Sequence, residues 1–183
     1  MKTALFFISL VLIASCSHRP AVIEGSENND DFTHARTSGN FSDRGAISLR
    51  NDEYRFTVIL VKDLEWALRS LKIADYGLPH ISQFKRSEKV SPFLTFGTFG
   101  KEDVDLTYSV KLQKPDGTFT PAQYNDLIIA RSKVSESMNY PAEEFATIDF
   151  SETDALGIYQ FFIIIKDSGN IINSCIMQFE LVE

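Results

Sequence analysis

The chain has 183 residues and a formal net charge of −7, and 44% of its residues are hydrophobic. That length suits one folded domain plus a tail. An acidic chain lacks the clustered lysines and arginines with which proteins contact nucleic-acid phosphates, so the composition argues against nucleic acid as a partner.

The first element is an apolar run over residues 4–14, which follows the basic residue Lys2. A short basic start, an apolar stretch and small residues before a cut site are the parts of a secretory signal. As a helix the run would cover only about 16 Å, roughly half of a bilayer core. It is too short for a permanent transmembrane helix, and we predict a signal peptide over residues 1–15.

The run ends in Ile13-Ala14-Ser15-Cys16, which resembles the lipobox of bacterial lipoproteins. The resemblance implies cleavage before Cys16 and acylation of its thiol, so that the membrane is a partner through lipid on Cys16. Several acyl chains on one residue give a stable anchor. Ser17 is not the acidic residue that usually retains lipoproteins at the inner membrane, so we expect the periplasmic face of the outer membrane. The alternative is an ordinary signal peptide with a chance cysteine at the cut site.

The next segment, residues 17–44, is polar and has no sustained hydrophobic period. Such a segment cannot bury enough apolar surface to offset the entropy of ordering it. We therefore predict a lipidated N-terminus and flexible tether over residues 16–44. As a coil, the tether would span about 30 Å. The folded domain is predicted over residues 45–183.

Hydrophobic alternation predicts seven or eight strands in that domain. Their ranges are 46–49, 54–62, 92–99, 105–114, 127–130, 146–150, 157–166 and 171–182. Residues 63–72 change to a helical period, and Asp63 can cap the helix. A Pro-Asp-Gly sequence at 115–117 predicts a tight hairpin. Residues 157–166 are apolar on both faces, which predicts a central strand covered on both sides.

Many short strands, one short helix and no alternation of strands with helices predict an all-β fold, an antiparallel immunoglobulin-like β-sandwich. The residues Asp154, Gly157 and Tyr159 resemble the corner of immunoglobulin-like domains, in which a tyrosine hydroxyl bonds to upstream backbone. The usual spacing is one residue shorter, and the alternative is a plain turn with a buried Tyr159.

Three stretches together resemble a group of uncharacterised secreted proteins of proteobacteria that carry an immunoglobulin-like domain. They are the strand at Phe56 leading to Trp66, the hairpin at 114–117, and residues 152–182. That family has no known activity or catalytic residues, so the resemblance implies a fold and no functional site.

The second cysteine, Cys175, alternates with Met177, Phe179 and Leu181. If Cys16 carries lipid, Cys175 has no partner for an intramolecular disulfide. We interpret it as a buried thiol that packs like a small apolar residue. A reactive or intermolecular thiol is the alternative.

The sequence contains no motif for catalysis or cofactor binding. The domain has a single histidine, His80, and G-x-S-x-G, H-E-x-x-H, C-x-x-C and glycine-rich phosphate loops are all missing. We therefore assign no catalytic, cofactor-binding or metal-binding residue and expect no cofactor. The acidic residues within 102–105 and 149–154 are a candidate set for calcium, although charged turns usually serve solubility.

The loop over residues 75–89 contains a candidate interaction set, namely Tyr76, His80, Phe84 and Arg86. Aromatic residues and arginine are enriched at protein interfaces. The alternative is that the apolar members of this loop cover one end of the core.

These features predict a membrane-anchored bacterial lipoprotein of the cell envelope, of unknown molecular activity. Its domain is expected to be a binding or structural module, with an envelope protein or a cell-wall component as its partner. The alternative is a periplasmic hydrolase or a protease-inhibitor-like domain, for which His80 or paired carboxylates would have to line a cleft.

Overall fold

The computed structural model describes Phe32 and residues 39–71, 81–135 and 138–183. The predicted signal peptide, Cys16 and most of the predicted tether lie outside these ranges. Within them, no helix has the length and apolar character needed to cross a membrane.

Eleven strands lie in the described residues and form two sheets. Sheet A contains β1 (Asn40–Ser42), β4 (Gln83–Lys85), β6 (Leu106–Gln113), β7 (Phe119–Ala130), β10 (Gly157–Asp167) and β11 (Asn170–Val182). Sheet B contains β2 (Ala46–Arg50), β3 (Tyr54–Val61), β5 (Lys89–Thr98), β8 (Tyr140–Pro141) and β9 (Ile148–Asp149). A helix, α1 (Leu64–Leu71), follows β3.

The strand order in sheet A is β1-β11-β10-β6-β7, with β4 also paired to β11, and in sheet B it is β2-β3-β5-β8, with β9 paired to β5. Most neighbours are antiparallel, while β1 and β4 each run parallel to β11. The fold is an all-β sandwich of two mostly antiparallel sheets, as the strand pattern predicted, with eleven strands among the described residues where seven or eight were expected.

The long predicted strands and the helix are present. The carboxylate of Asp63 accepts a hydrogen bond of 2.8 Å from the backbone N–H of Trp66, which caps α1 as expected. The strand predicted at 127–130 is the end of the longer β7. Its first half was missed because Pro121 and the left-handed residue Asp126 (φ +50°) interrupt the alternation.

The predicted domain boundary at residue 45 is corrected by β1. Residues 40–42, which we assigned to the tether, pair with residues 175–177 of β11. The Ser42 hydroxyl also donates a hydrogen bond of 2.7 Å to the carbonyl of Ala46, just after the chain leaves sheet A for sheet B. A three-residue strand is too short to show a hydrophobic period, so local pattern could not reveal it.

The main core lies between the sheets, and the predicted inward faces of the long strands fill it. These residues are Tyr54, Phe56, Val58 and Leu60 on β3, Leu106, Tyr108, Val110 and Leu112 on β6, and Cys175, Met177, Phe179 and Leu181 on β11. Cys175 is fully buried and forms no disulfide. Burial raises the pKa of its thiol to about 12, so it packs as an apolar group.

The outer faces of both sheets also carry apolar side chains. On sheet B, Ala67 of α1 packs against Ile59 and Phe93. On sheet A, Phe162 and Ile164 of β10 form a cluster on the outer face, and the intervening residues of the same strand point into the main core. The prediction of a central strand covered on both sides is therefore confirmed for β10.

Candidate functional site

A cleft opens at the end of the sandwich where β4 ends and β5 begins. Its volume is about 680 Å³. It is lined by Lys85, Arg86, Ser87, Phe150, Ser151, Glu152 and Glu183. The cleft therefore combines two cationic side chains, two carboxylates, two hydroxyls and one aromatic ring.

One wall of the cleft is the turn between β4 and β5. The N–H of Glu88 donates to the carbonyl of Lys85 at 2.9 Å, and the N–H of Lys85 donates to the Glu88 carboxylate at 2.8 Å. The same carboxylate binds the ammonium of Lys62 at 2.7 Å. Burial alone would raise the pKa of Glu88, but these partners outweigh it and lower the pKa. The turn is thus fixed at both ends and presents Arg86 and Ser87 to the cleft.

Arg86 is the cation that the cleft holds most firmly. Its Nη1 lies 3.2 Å from the carboxylate of Glu183, and its backbone N–H donates to the carbonyl of Val182. Its Nε is buried and has no hydrogen-bond partner among the described residues. A buried donor without a partner costs about 1–3 kcal/mol. Arg86 therefore lines the cleft and keeps one buried donor that the described residues do not satisfy.

The opposite wall is the segment that follows β9. The Asp154 carboxylate accepts hydrogen bonds from the N–H of Ser151 at 2.6 Å and from its hydroxyl at 2.9 Å. The ring of Phe150 packs edge-on against Tyr159, with 5.1 Å between centroids, and against Phe179 at 5.9 Å. This wall is joined to the core by aromatic contacts and is not a loose loop.

The predicted tyrosine corner forms beside this wall. The Tyr159 hydroxyl donates a hydrogen bond of 2.8 Å to the carbonyl of Ala155. Gly157, which lies between them, has a φ of +127°, a conformation that residues with a Cβ rarely adopt. Burial raises the pKa of Tyr159, and the charge of Asp154 raises it further.

The four residues of the candidate interaction loop have different positions. Tyr76 and His80 lie outside the described residues. Phe84 on β4 is fully buried, 5.5 Å from the ring of Phe179, and so covers the core, which was the alternative for this loop. Arg86 lies in the cleft. The aromatic residue that lines the cleft, Phe150, was not singled out from the sequence.

Three of the six acidic candidates for calcium are engaged by protein groups. Asp105 pairs with Arg131 at 3.1 Å and Asp149 pairs with Lys89 at 3.4 Å. The Asp154 carboxylate is bonded to Ser151. Within the part of the chain that the structure describes, no group of three or more His, Cys, Asp or Glu residues could hold a metal ion.

A second polar cluster lies at the other end of β3. The ammonium of Lys101 and the hydroxyl of Tyr54 both donate to Oδ2 of Asp167, the latter at 2.9 Å. Burial raises the pKa of Tyr54 to about 12. Burial would also raise the pKa of Asp167, but its hydrogen bonds to Lys101, Tyr54 and Ser168 outweigh it and lower the pKa. The hydrogen bond to Asp167 raises the pKa of Lys101. This cluster joins the start of β3 to the end of β10 and shares no residue with the cleft.

No protein-family model matches the sequence, and no curated protein matches it. Similar solved structures include a Niemann-Pick type C2 protein from the Japanese carpenter ant, with 5% identity, a TM-score of 0.42, and coverage of 77% of this chain and 96% of that chain. A family 123 glycoside hydrolase from Clostridium perfringens has 12% identity and a TM-score of 0.35, with 70% of this chain and 27% of that chain covered. An immunoglobulin-like protein from Pseudomonas aeruginosa has 9% identity and a TM-score of 0.29, with 59% and 84% covered. At these identities no function transfers to this chain.

Proposed function

We propose that the protein is a lipoprotein of the bacterial cell envelope, held to a membrane by lipid on Cys16, and that its β-sandwich is a binding module. The observation that carries the anchor is the sequence Ile13-Ala14-Ser15-Cys16 directly after an apolar run too short to span a bilayer. With Ser17 after the cysteine, the proposed location is the periplasmic face of the outer membrane.

The cleft supports a role in binding. Its walls are held by hydrogen bonds and aromatic packing, so it is pre-formed, which reduces the entropy cost of binding. It offers Arg86 and the ring of Phe150, and arginine and aromatic residues are the types enriched at protein interfaces. The proposed partner is an envelope protein or a cell-wall component.

The anchor is tested by detergent-phase partitioning of protein from exporting cells. Wild-type protein should enter the detergent phase, and Cys16→Ala should be recovered in the aqueous phase, still folded. Cys175→Ala is the matched control, since it removes a thiol from the core and leaves the lipid site intact. Equal partitioning of wild type and Cys16→Ala would refute the lipid anchor.

The binding role is tested by photo-crosslinking in cells. A crosslinking amino acid replaces Ser87 in the cleft or, as a matched control, the exposed Ser132 at the opposite end of the sandwich. We expect a discrete adduct from position 87 and none from position 132. Arg86→Ala should reduce the yield of the adduct from position 87. The absence of an adduct from position 87, or the same adduct from both positions, would contradict a binding cleft at this end of the sandwich.

A further inference from the structure

The outer face of sheet A is covered at its centre, across β6, β10 and β11. Phe162 and Ile164 of β10 are 1% and 0% exposed. Polar residues on the same face are buried as well, including Ser109 on β6 and Ser174 on β11, which flank Ile164 in register. In an antiparallel sheet with one face in solvent, small polar residues of this kind would be exposed. Something therefore covers the outer face.

Phe32 is the described residue that lies over this face. It comes from the segment predicted to be a flexible tether, yet it is only 5% exposed and packs with Phe162 and Ile164. The other members of that cluster, Phe119, Ile171 and Ile176, belong to sheet A itself. Among the described residues of the cluster, Phe32 is thus the member supplied from outside the sheet.

A cation also contacts the aromatic rings of this cluster. The ammonium of Lys111 lies 5.4 Å from the ring centroid of Phe32 and 4.5 Å from that of Phe119. Such contacts favour an aromatic ring at this position over an aliphatic side chain of similar size. The outer face therefore gives Phe32 apolar contacts with Phe162 and Ile164 and a cation–π contact with Lys111.

We propose that the outer face of sheet A is a docking surface for the chain's own N-terminal segment, with Phe32 as the anchor. The consequence for the tether depends on the proposed lipid at Cys16. With Phe32 docked, the free tether consists of residues 17–31 instead of residues 17–44. The coil span between membrane and domain falls from about 30 Å to about 21 Å. The free tether then connects the membrane to the outer face of sheet A.

The docking is tested by limited proteolysis of the full-length exported protein. Trypsin cuts after Arg36, which lies between Phe32 and β1. Phe32→Ala should speed that cut by a factor of about ten or more, because burial of an aromatic side chain shifts an equilibrium by at least that factor. Phe41→Ala is the matched control, since Phe41 is 56% exposed, and it should leave the rate unchanged.

Two internal references keep the result interpretable. Cleavage by Glu-C protease after Glu24 and Glu27, which precede Phe32, should be equal in all variants. The bond after Lys62, at the end of β3, should stay protected in all of them, which shows that the domain remains folded. Equal cutting after Arg36 in wild type and Phe32→Ala, or equal acceleration by Phe32→Ala and Phe41→Ala, would overturn the docking proposal.

The change in reach is measured on vesicles that contain dansyl-labelled lipid. Trp66 is the single tryptophan of the chain and is partly exposed, so it can serve as the energy donor. Docking turns the outer face of sheet A towards the membrane and leaves Trp66, on the helix that covers sheet B, on the far side of the sandwich. Lipidated wild-type protein should therefore show less transfer than Phe32→Ala, in which the undocked domain can turn freely on a longer tether, and equal transfer would refute the docking. Failure of the wild type to bind vesicles would instead refute the lipid anchor, while the cut after Arg36 would still report on docking.

Discussion

The hydroxyl of Tyr159 donates a hydrogen bond of 2.8 Å to the carbonyl of Ala155, four residues earlier in the chain. This bond closes the corner at the start of β10 and supports the wall of the cleft, because the ring of Phe150 packs on Tyr159. The corner therefore links a pattern in the sequence to one wall of the cleft.

Replacing Tyr159 with Phe should lower the free energy of unfolding by about 1 kcal/mol, the usual net value of one such hydrogen bond. The measurement is urea denaturation at pH 7. Tyr140→Phe is the control, since the partners of the Tyr140 hydroxyl among the described residues are exposed groups at Ser135 and Met138, and it should cost less. Equal losses of unfolding free energy in the two variants would show that the corner hydrogen bond stabilises the fold no more than an exposed one.

Gly45 lies where the chain passes from sheet A to sheet B, and it has a φ of +71°. A Cβ at this position would lie 2.1 Å from the carbonyl oxygen of Ile81. Gly169 has a similar φ of +81° with no atom within 4 Å of such a Cβ. Gly169→Ala should therefore show only the left-handed backbone cost of about 1–2 kcal/mol, and Gly45→Ala should cost clearly more.

Thermal and urea unfolding of both glycine variants provide this comparison. If Gly45→Ala is no more destabilising than Gly169→Ala, the close contact with Ile81 is not a constraint on the fold.

Asp167 should make the protein acid-sensitive. Its pKa is lower in the folded chain than in the unfolded one, so the carboxylate stabilises the fold above the unfolded pKa of about 4. That stability is lost as the pH falls through the folded pKa. Asp167→Asn should lose about 1–3 kcal/mol at pH 7, because it removes the nearest carboxylate from a partly buried Lys101, whose pair with Glu53 is longer, at 3.4 Å, and more exposed. Between pH 5 and pH 2, the stability of Asp167→Asn should also fall less than that of the wild-type protein.

The control for that prediction is Asp105→Asn. Asp105 pairs with Arg131, and both side chains are more than half exposed. An exposed ion pair contributes about 0–1 kcal/mol, so this variant should be close to wild type at both pH values. Identical pH profiles for wild type and Asp167→Asn would contradict a stabilising role for the Lys101–Asp167 pair.

Tyr54 should make the stability of the fold sensitive to alkaline pH, by the same reasoning with the opposite sign. Its pKa is raised to about 12, so the neutral phenol stabilises the fold below the unfolded pKa of about 10. That stability is lost as the pH rises from about 10 towards about 12. Tyr54→Phe should be less stable at pH 7 and show a shallower loss above pH 10, measured by urea unfolding.

The Cys175 thiol should be inert in the native protein. It is fully buried and burial raises its pKa to about 12, so almost no thiolate exists near neutral pH. Labelling with a thiol reagent at pH 8 should be negligible until denaturant unfolds the domain. Rapid native labelling at Cys175 would favour the reactive-thiol alternative.

The local hydrophobic pattern of the sequence was sufficient to predict the long strands. On β3, β6 and β11 every second side chain enters the core, so alternation identified both the strands and their inward faces. Helix α1 followed from its period and its Asp63 cap. The strands β1, β4 and β8 have two or three residues and carry no period, so only pairing with a long strand reveals them.

The candidate site was harder to predict because it depends on non-local pairing. Antiparallel pairing of Lys89 with Asp149 brings the wall at Phe150 opposite the turn at Arg86. These positions are far apart in sequence, and no local pattern encodes their register. Phe32 is similar, since a single aromatic residue among polar neighbours gives no periodic signal that it would be buried.

The lipid on Cys16 is the central claim, and the mass of the N-terminal peptide tests it most directly. Protein purified from the membranes of cells that export it should begin at Cys16 and carry the mass of a diacylglycerol thioether with its acyl chains. An N-terminal peptide that begins at another residue, or one with an unmodified Cys16, would contradict the anchor.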